Sequence, residues 1–111
     1  MPAATVPVDK AVEAIVQRIL ALGDKVQAMG KTEIEVRRAI QELACLLETA
    51  VLNRQAETVE STCADCEGRL VRVKKRERKI QTVYGEIRIE RAYGYCRTCD
   101  QWVAPADRVW G

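Results

Sequence analysis

Apolar residues recur at Val8, Val12, Ile15, Ile19, Leu22, Val26 and Met29, separated alternately by four and three positions. That spacing lines one stripe of a helix and predicts an amphipathic α-helix over residues 8–29. Gly23 falls on or beside the stripe, at a cost of about 1 kcal/mol that close helix packing would offset. Gly30 then reads as the residue just past the helix, and Thr32 with Glu35 has the T-x-x-E spacing of a capping box. A second helix is expected to start there. It carries Val36, Ile40, Leu43, Leu47 and Ala50 at the same four-three spacing, widened by Ala39, Ala44, Leu46 and Val51, with Ile34, Cys45 and Leu52 on the opposite side. So short a connection predicts an antiparallel helical hairpin. Two helices alone bury little, so a second copy or the C-terminal half is expected to cover the remaining apolar surface.

Beyond "NRQAETVEST", a helix end or linker, the period changes to two. In "RLVRVKKRERK", Val71 and Val73 are expected on one face of a strand and Arg72, Lys74, Arg76 and Arg78 on the other. In "EIRIERAYGY", Ile87, Ile89, Tyr93 and Tyr95 share a face that Arg91 interrupts. Tyr84 and Gly85 separate the two runs as a hairpin turn, Gly85 supplying the positive φ. The chain thus divides into a helical hairpin, residues 1–60, and a small β unit, residues 61–111, an α+β arrangement.

Charge follows the same division. Of the net +2, residues 1–60 contribute −2 and residues 61–111 contribute +4. No stretch approaches the roughly 18 apolar residues of a membrane span, and "MPAATVPVDK" lacks the apolar run of a signal peptide. A cytoplasmic location, away from membranes, is expected. There is no histidine for acid–base work, no G-x-S-x-G elbow and no phosphate-cradling glycine loop, so the chain is not expected to be an enzyme.

The cysteines carry the clearest chemistry. Cys63 and Cys66 form one C-x-x-C, Cys96 and Cys99 another, with 29 residues between the pairs. Two such turns joined by a hairpin deliver four sulfurs to one tetrahedral metal ion. A disulfide framework would call for a secreted chain, and a thioredoxin-like motif for a single C-x-x-C in a βαβ setting. Rubredoxins, small carriers of one iron in four thiolates, share the spacing, so the ligand set alone admits iron. They are typically acidic with an aromatic core, whereas this chain has no Phe and nine basic against four acidic residues between its cysteine pairs. Zinc in a closed structural site is therefore the expected cofactor. With four thiolates around it there is no open position to activate water, which leaves Asp65, Glu67 and Asp100 as solvated carboxylates. Glu67 and Asp100 stand where such turns usually place glycine. Cys45 reads as a small apolar helix residue.

The order "CADCEGRL…KKRERKIQTVYGEIRIERAYGYCRTCDQWVAPAD" resembles the N-terminal zinc-binding region of bacterial insertion-sequence transposases of the Kra type. The matching residues are Arg76 and Arg78, then Thr82, Gly85, Ile87, Arg91, Tyr93, Tyr95 and Cys96, with Pro105 and Asp107 after Cys99. The upstream helices are similar to the leucine-rich helical segment of that family. The resemblance implies a DNA-binding or assembly part of a transposase, in the form of a fragment, a remnant or a stand-alone accessory protein. No RNase H-like domain with a DDE triad lies within the sequence, so no strand transfer is expected.

The sequence thus predicts a zinc ribbon held by Cys63, Cys66, Cys96 and Cys99. Its cationic strand, Arg72, Lys74, Arg76 and Arg78 flanked by Lys75, Lys79 and Arg88, would lie on DNA phosphates. The expected partners are DNA, a second copy joined through the helices, and a separate transposase or its catalytic domain. A protein-interaction or assembly module, with the cations protecting an exposed strand edge, is the alternative. An iron electron carrier is the third reading.

Overall fold

A computed structural model describes residues 8–111, and the opening residues of the stretch tested for a signal peptide lie outside them. Helix α1 (Val8–Leu20) tightens into one turn of 3-10 helix (Ala21–Asp24) and is followed by α2 (Met29–Thr58). Strands β1 (Val71–Thr82), β2 (Gly85–Cys96) and β3 (Gln101–Val103) form an antiparallel sheet in the order β1-β2-β3, and a short α3 (Pro105–Trp110) ends the chain. The α+β class expected from the periodicities is the one observed. Among the described residues no helix is long and apolar enough to cross a membrane.

The interhelical break comes earlier than the sequence suggested. Lys25 is already extended, at φ −132° and ψ 117°, and α2 begins at Met29 with Ala28 as its N-cap. The Glu35 carboxylate accepts a hydrogen bond from Gln27 Nε2 (2.8 Å) and so ties the connection to α2, where the sequence had suggested a capping box with Thr32. Gly30 falls in the first turn of α2, and Gly23 in the 3-10 turn.

Helix α1 runs antiparallel to α2. Arg18 pairs with Glu42, Leu22 and Ala39 line one cavity between the helices, and the buried Ile15 lines another with Cys45 and Leu46. The seam on α2 therefore runs along Ala39, Glu42, Leu46 and Thr49, using the Ala39 and Leu46 flank of the expected stripe, about 100° from its Ile40 and Leu47 centre. The cause is a second neighbour. Helix α2 must also meet the sheet, where Cys45 Sγ donates to the Tyr84 carbonyl (2.7 Å), Asn53 Oδ1 accepts the Glu90 N–H (3.0 Å) and Ala56 is buried. Serving both neighbours turns Ile40, Leu47 and Val51 outward, 49%, 44% and 54% exposed.

The hairpin turn is also displaced by one residue. Thr82 pairs with Gly85, so the loop is Val83 and Tyr84, and Gly85 opens β2 with φ +127°. Thr82 Oγ1 accepts the Tyr84 N–H (3.1 Å) and donates to the Gly85 carbonyl (3.0 Å), which closes the turn without a positive φ at either loop residue.

One extra residue on β1 changes its face pattern. The register shifts between Val71, opposite Tyr95, and Lys74, opposite Tyr93, and Arg72 takes φ +53°. This bulge settles onto Gly94, where an added Cβ would stand 2.9 Å from Leu70 Cβ and 3.0 Å from Val73 Cγ2. Cross-strand partners share a face. Lys74, Arg76 and Arg78 therefore lie with Tyr93, Arg91 and Ile89, while Lys75 and Lys79 lie on the other face with Ala92 and Arg88. Val71 and Val73 do not share a face, and Arg72 leaves the cationic row, because a bulge inserts an odd residue into a period of two.

Two arginines of that first face hold α3. Asp107 receives Arg91 through two hydrogen bonds (2.9 and 3.0 Å) and Arg78 through one (3.0 Å), while Trp110 Nε1 donates to Gln55 of α2 (3.1 Å). Burial alone would raise the Asp107 carboxyl, but the hydrogen bonds from Arg91 and Arg78 outweigh it and hold the group below the usual carboxylate value. The stabilisation is complete above the unfolded value of about 3.9 and is lost as pH falls through the depressed native one. We expect Asp107→Asn to cost about 1–2 kcal/mol at pH 7 in urea denaturation, after allowance for solvent screening, and to raise amide exchange across α3. A carbon-13 titration of the parent should place the Asp107 carboxyl below 3.9, and equal stability of variant and parent at pH 7 would refute the anchoring role.

Candidate metal centre and cationic face

The first C-x-x-C turn closes on itself before β1 begins. The Cys63 N–H donates to the Gly68 carbonyl (2.8 Å), the Glu67 N–H donates to the Cys63 carbonyl (2.8 Å), and Thr62 bridges to Arg69. The second turn joins β2 to β3, with Cys96 opposite Gln101. Both turns require a left-handed residue directly after their second cysteine, and Glu67 (φ +59°) and Asp100 (φ +51°) supply it. A non-glycine residue there costs roughly 1–2 kcal/mol, a cost that sulfur coordination would offset. The amide hydrogen bonds typical of such turns survive, from Gly68 N to Cys66 Sγ and from Cys99 N to Cys96 Sγ, each 3.4 Å.

The two turns meet over a small core of Cys63, Leu70 and Cys96, all buried, with Cys99 and Val103 packed against it. The four sulfurs lie within 4.8 Å of one another, Cys63 and Cys99 at 3.8 Å and Cys66 and Cys96 at 3.4 Å. A tetrahedron of bonds about 2.3 Å long, as in zinc–thiolate sites, sets its sulfurs about 3.8 Å apart. The geometry fits one metal ion, and these four cysteines can hold it.

Their protonation points the same way. Hydrogen bonds from the backbone of Cys66, then of Asp65, bring the Cys63 thiol down to about 7. Its neighbours resist ionisation. Cys99 is pushed up to about 12 by hydrogen bonding with Cys66 and then Cys63. At Cys66 the Gly68 amide lowers the value, but the Cys96 sulfur and desolvation together outweigh it. Four thiols so close cannot all carry charge unless a cation sits among them, and metal binding then releases their protons.

No protein-family model, curated protein or solved structure matches this chain.

The cations singled out from the sequence are brought to one ribbon but not to one face. Lys74 Nζ stands 5.6 Å from the Trp102 ring centroid and Arg76 Cζ 4.8 Å from that of Tyr93. Arg78 is spent on Asp107, and Arg88 pairs with Glu77 (3.5 Å). Arg72, Lys74, Lys75, Arg76 and Lys79 form no salt bridge among the described residues. Trp102 belongs to no periodic run in the sequence. The turn ending at Cys99 folds β3 back beside β2, which sets Trp102 opposite Tyr95. A short "QWV" run after the second cysteine pair was the available signal.

Proposed function

We propose that this chain is a non-catalytic zinc-ribbon module that binds DNA, of the kind found at the N terminus of insertion-sequence transposases. The observation that carries this reading is the composition and placement of β1. It is an edge strand with six cations and one acid among its 12 residues, and it leads directly out of the first C-x-x-C turn. Five of those six cations make no salt bridge among the described residues. A row of like charges raises the free energy of the fold unless an anion lies along it.

Zinc is the metal that suits a closed thiolate shell whose work is structural. Cys63, Cys66, Cys96 and Cys99 would hold it, fixing β1 against β2 and β3. DNA phosphates would then meet a preformed ribbon, and little of the binding would depend on base sequence.

The outward stripe of Ile40, Leu47 and Val51, with Val36 and Leu43 beside it, supports self-association. Its heptad spacing is that of a helix meeting a second helix, and α1 does not use it. A second copy is the partner we assign to this face. The catalytic domain of a transposase, on the same or another chain, is the partner implied by the family resemblance.

The test changes Lys74, Lys75, Arg76 and Lys79 together to Ser and leaves Arg78 to hold α3. Duplex DNA binding at low salt should fall at least tenfold, with metal content and circular dichroism unchanged. If the variant binds as the parent does, the cations serve to protect the strand edge and the assembly reading takes over.

A further inference from the structure

The face carrying Lys74 and Arg76 also carries the chain's main aromatic cluster. Tyr93 and Trp102 stack with ring centroids 5.3 Å apart and planes 6° from parallel, and Tyr95 stands 5.5 Å from Trp102, tilted by 60°. Burial does not account for Trp102, which stays 43% exposed on a three-residue strand. Beside the stack runs a groove of about 300 Å³ whose walls include Tyr93, Trp102, Gln101, Asp65 and Arg108. Its acids are already neutralised, Asp65 by Arg108 (3.0 Å) and Asp107 by Arg78 and Arg91. What faces solvent is an aromatic edge with Lys74 and Arg76, free of salt bridges among the described residues, over its rings, and with the Asp100 carboxylate accepting from the Tyr95 hydroxyl at one end.

Phosphate contacts require no aromatic ring. Stacking on a base does, and only when the base is out of the duplex, because a paired base hides both faces in its own stack. We propose that this face binds an unpaired DNA strand, with bases stacking against Trp102 and Tyr93 and phosphates met by Lys74 and Arg76. The inference rests on the DNA-binding reading above and narrows its ligand to single-stranded segments.

The full, metal-loaded chain would be titrated against a labelled 15-nucleotide oligothymidylate and a duplex of equal length at the same salt, followed by anisotropy. The single strand should bind at least as tightly as the duplex. Trp102→Ala should weaken single-strand binding by about 5- to 150-fold per stacked base and leave duplex binding within about twofold. Trp110→Phe, which leaves Trp102 as the sole indole, should show its emission quenched by the oligothymidylate, a reading independent of whether Trp102→Ala keeps its fold. Unquenched emission, or undiminished single-strand binding by a folded Trp102→Ala, overturns the stacking proposal while duplex binding preserves the DNA reading. Loss of both ligands by the parent overturns the two together. Tighter binding to oligouridylate than to oligothymidylate overturns the assignment to DNA.

Discussion

Removing the metal, or replacing any one of Cys63, Cys66, Cys96 and Cys99 by Ser, is expected to dissolve the β3–α3 end of the sheet and leave the helical hairpin standing. The core at that end is small: Cys63, Leu70 and Cys96 are buried with Cys99 and Val103 packed against them, and Pro105 and Ala106 of α3 add little apolar area, so the ligands are a large share of what holds it. Apolar burial of that size contributes a few kcal/mol, whereas structural zinc sites contribute apparent free energies of about 10–16 kcal/mol. The other end of the sheet fares differently. Ile87 and Ile89 are buried, and Asn53 and Cys45 bond to β2 and to its turn, so the residues next to α2 should keep partial protection. Hydrogen exchange before and after chelation reads the difference directly. Full protection of residues 94–110 without metal would show that the thiols pack as an ordinary core. The same preparation identifies the ion, because ferric thiolate is coloured and zinc thiolate is not.

Leu47→Asp is expected to convert a dimer to a monomer, weakening association by more than 100-fold. A carboxylate in an apolar seam costs several kcal/mol unless it finds a partner, and each 1.4 kcal/mol is a factor of ten. Besides Met29 and Ile34 near its start, α2 leaves Ile40, Leu47 and Val51 open in the monomer, whereas Ile15 on α1 is already covered within the chain. A charge at Ile15 should therefore disrupt the hairpin itself, with loss of helicity, and Leu47→Asp should not. Sedimentation at micromolar concentration separates them. A monomeric parent would leave the outward stripe without the assigned partner.

The features legible in the sequence were those with a repeating signal. Heptad spacing located both helices but carried the first through to Met29, past the connection where Val26 lies fully exposed; alternation located β1 and β2, and the paired C-x-x-C spacing located the sulfurs that lie within 4.8 Å. What escaped depends on single residues or on a choice between neighbours. The bulge at Arg72 adds one residue without altering composition, yet it reverses the alternation expected of Val71 and Val73 and seats β1 on Gly94. Glu35 accepts from Gln27 instead of closing a box on Thr32, and α2 starts at Met29. The α2 stripe was identified correctly as apolar, but its side could not be assigned, because the sheet competes with α1 for the opposite face. Trp102 acquires its setting only once β3 folds back along β2.

The proposed function requires that a metal-built ribbon present its cations to DNA. The most direct measurement is duplex binding against salt concentration, with and without chelation. Contacts to about four phosphates predict a log-log slope of roughly −3 to −4, since each neutralised phosphate contributes about −0.9, and binding that disappears when the metal is removed and returns when it is restored. Binding that ignores both salt and chelator, or no binding by the metal-loaded protein at low salt, would contradict it.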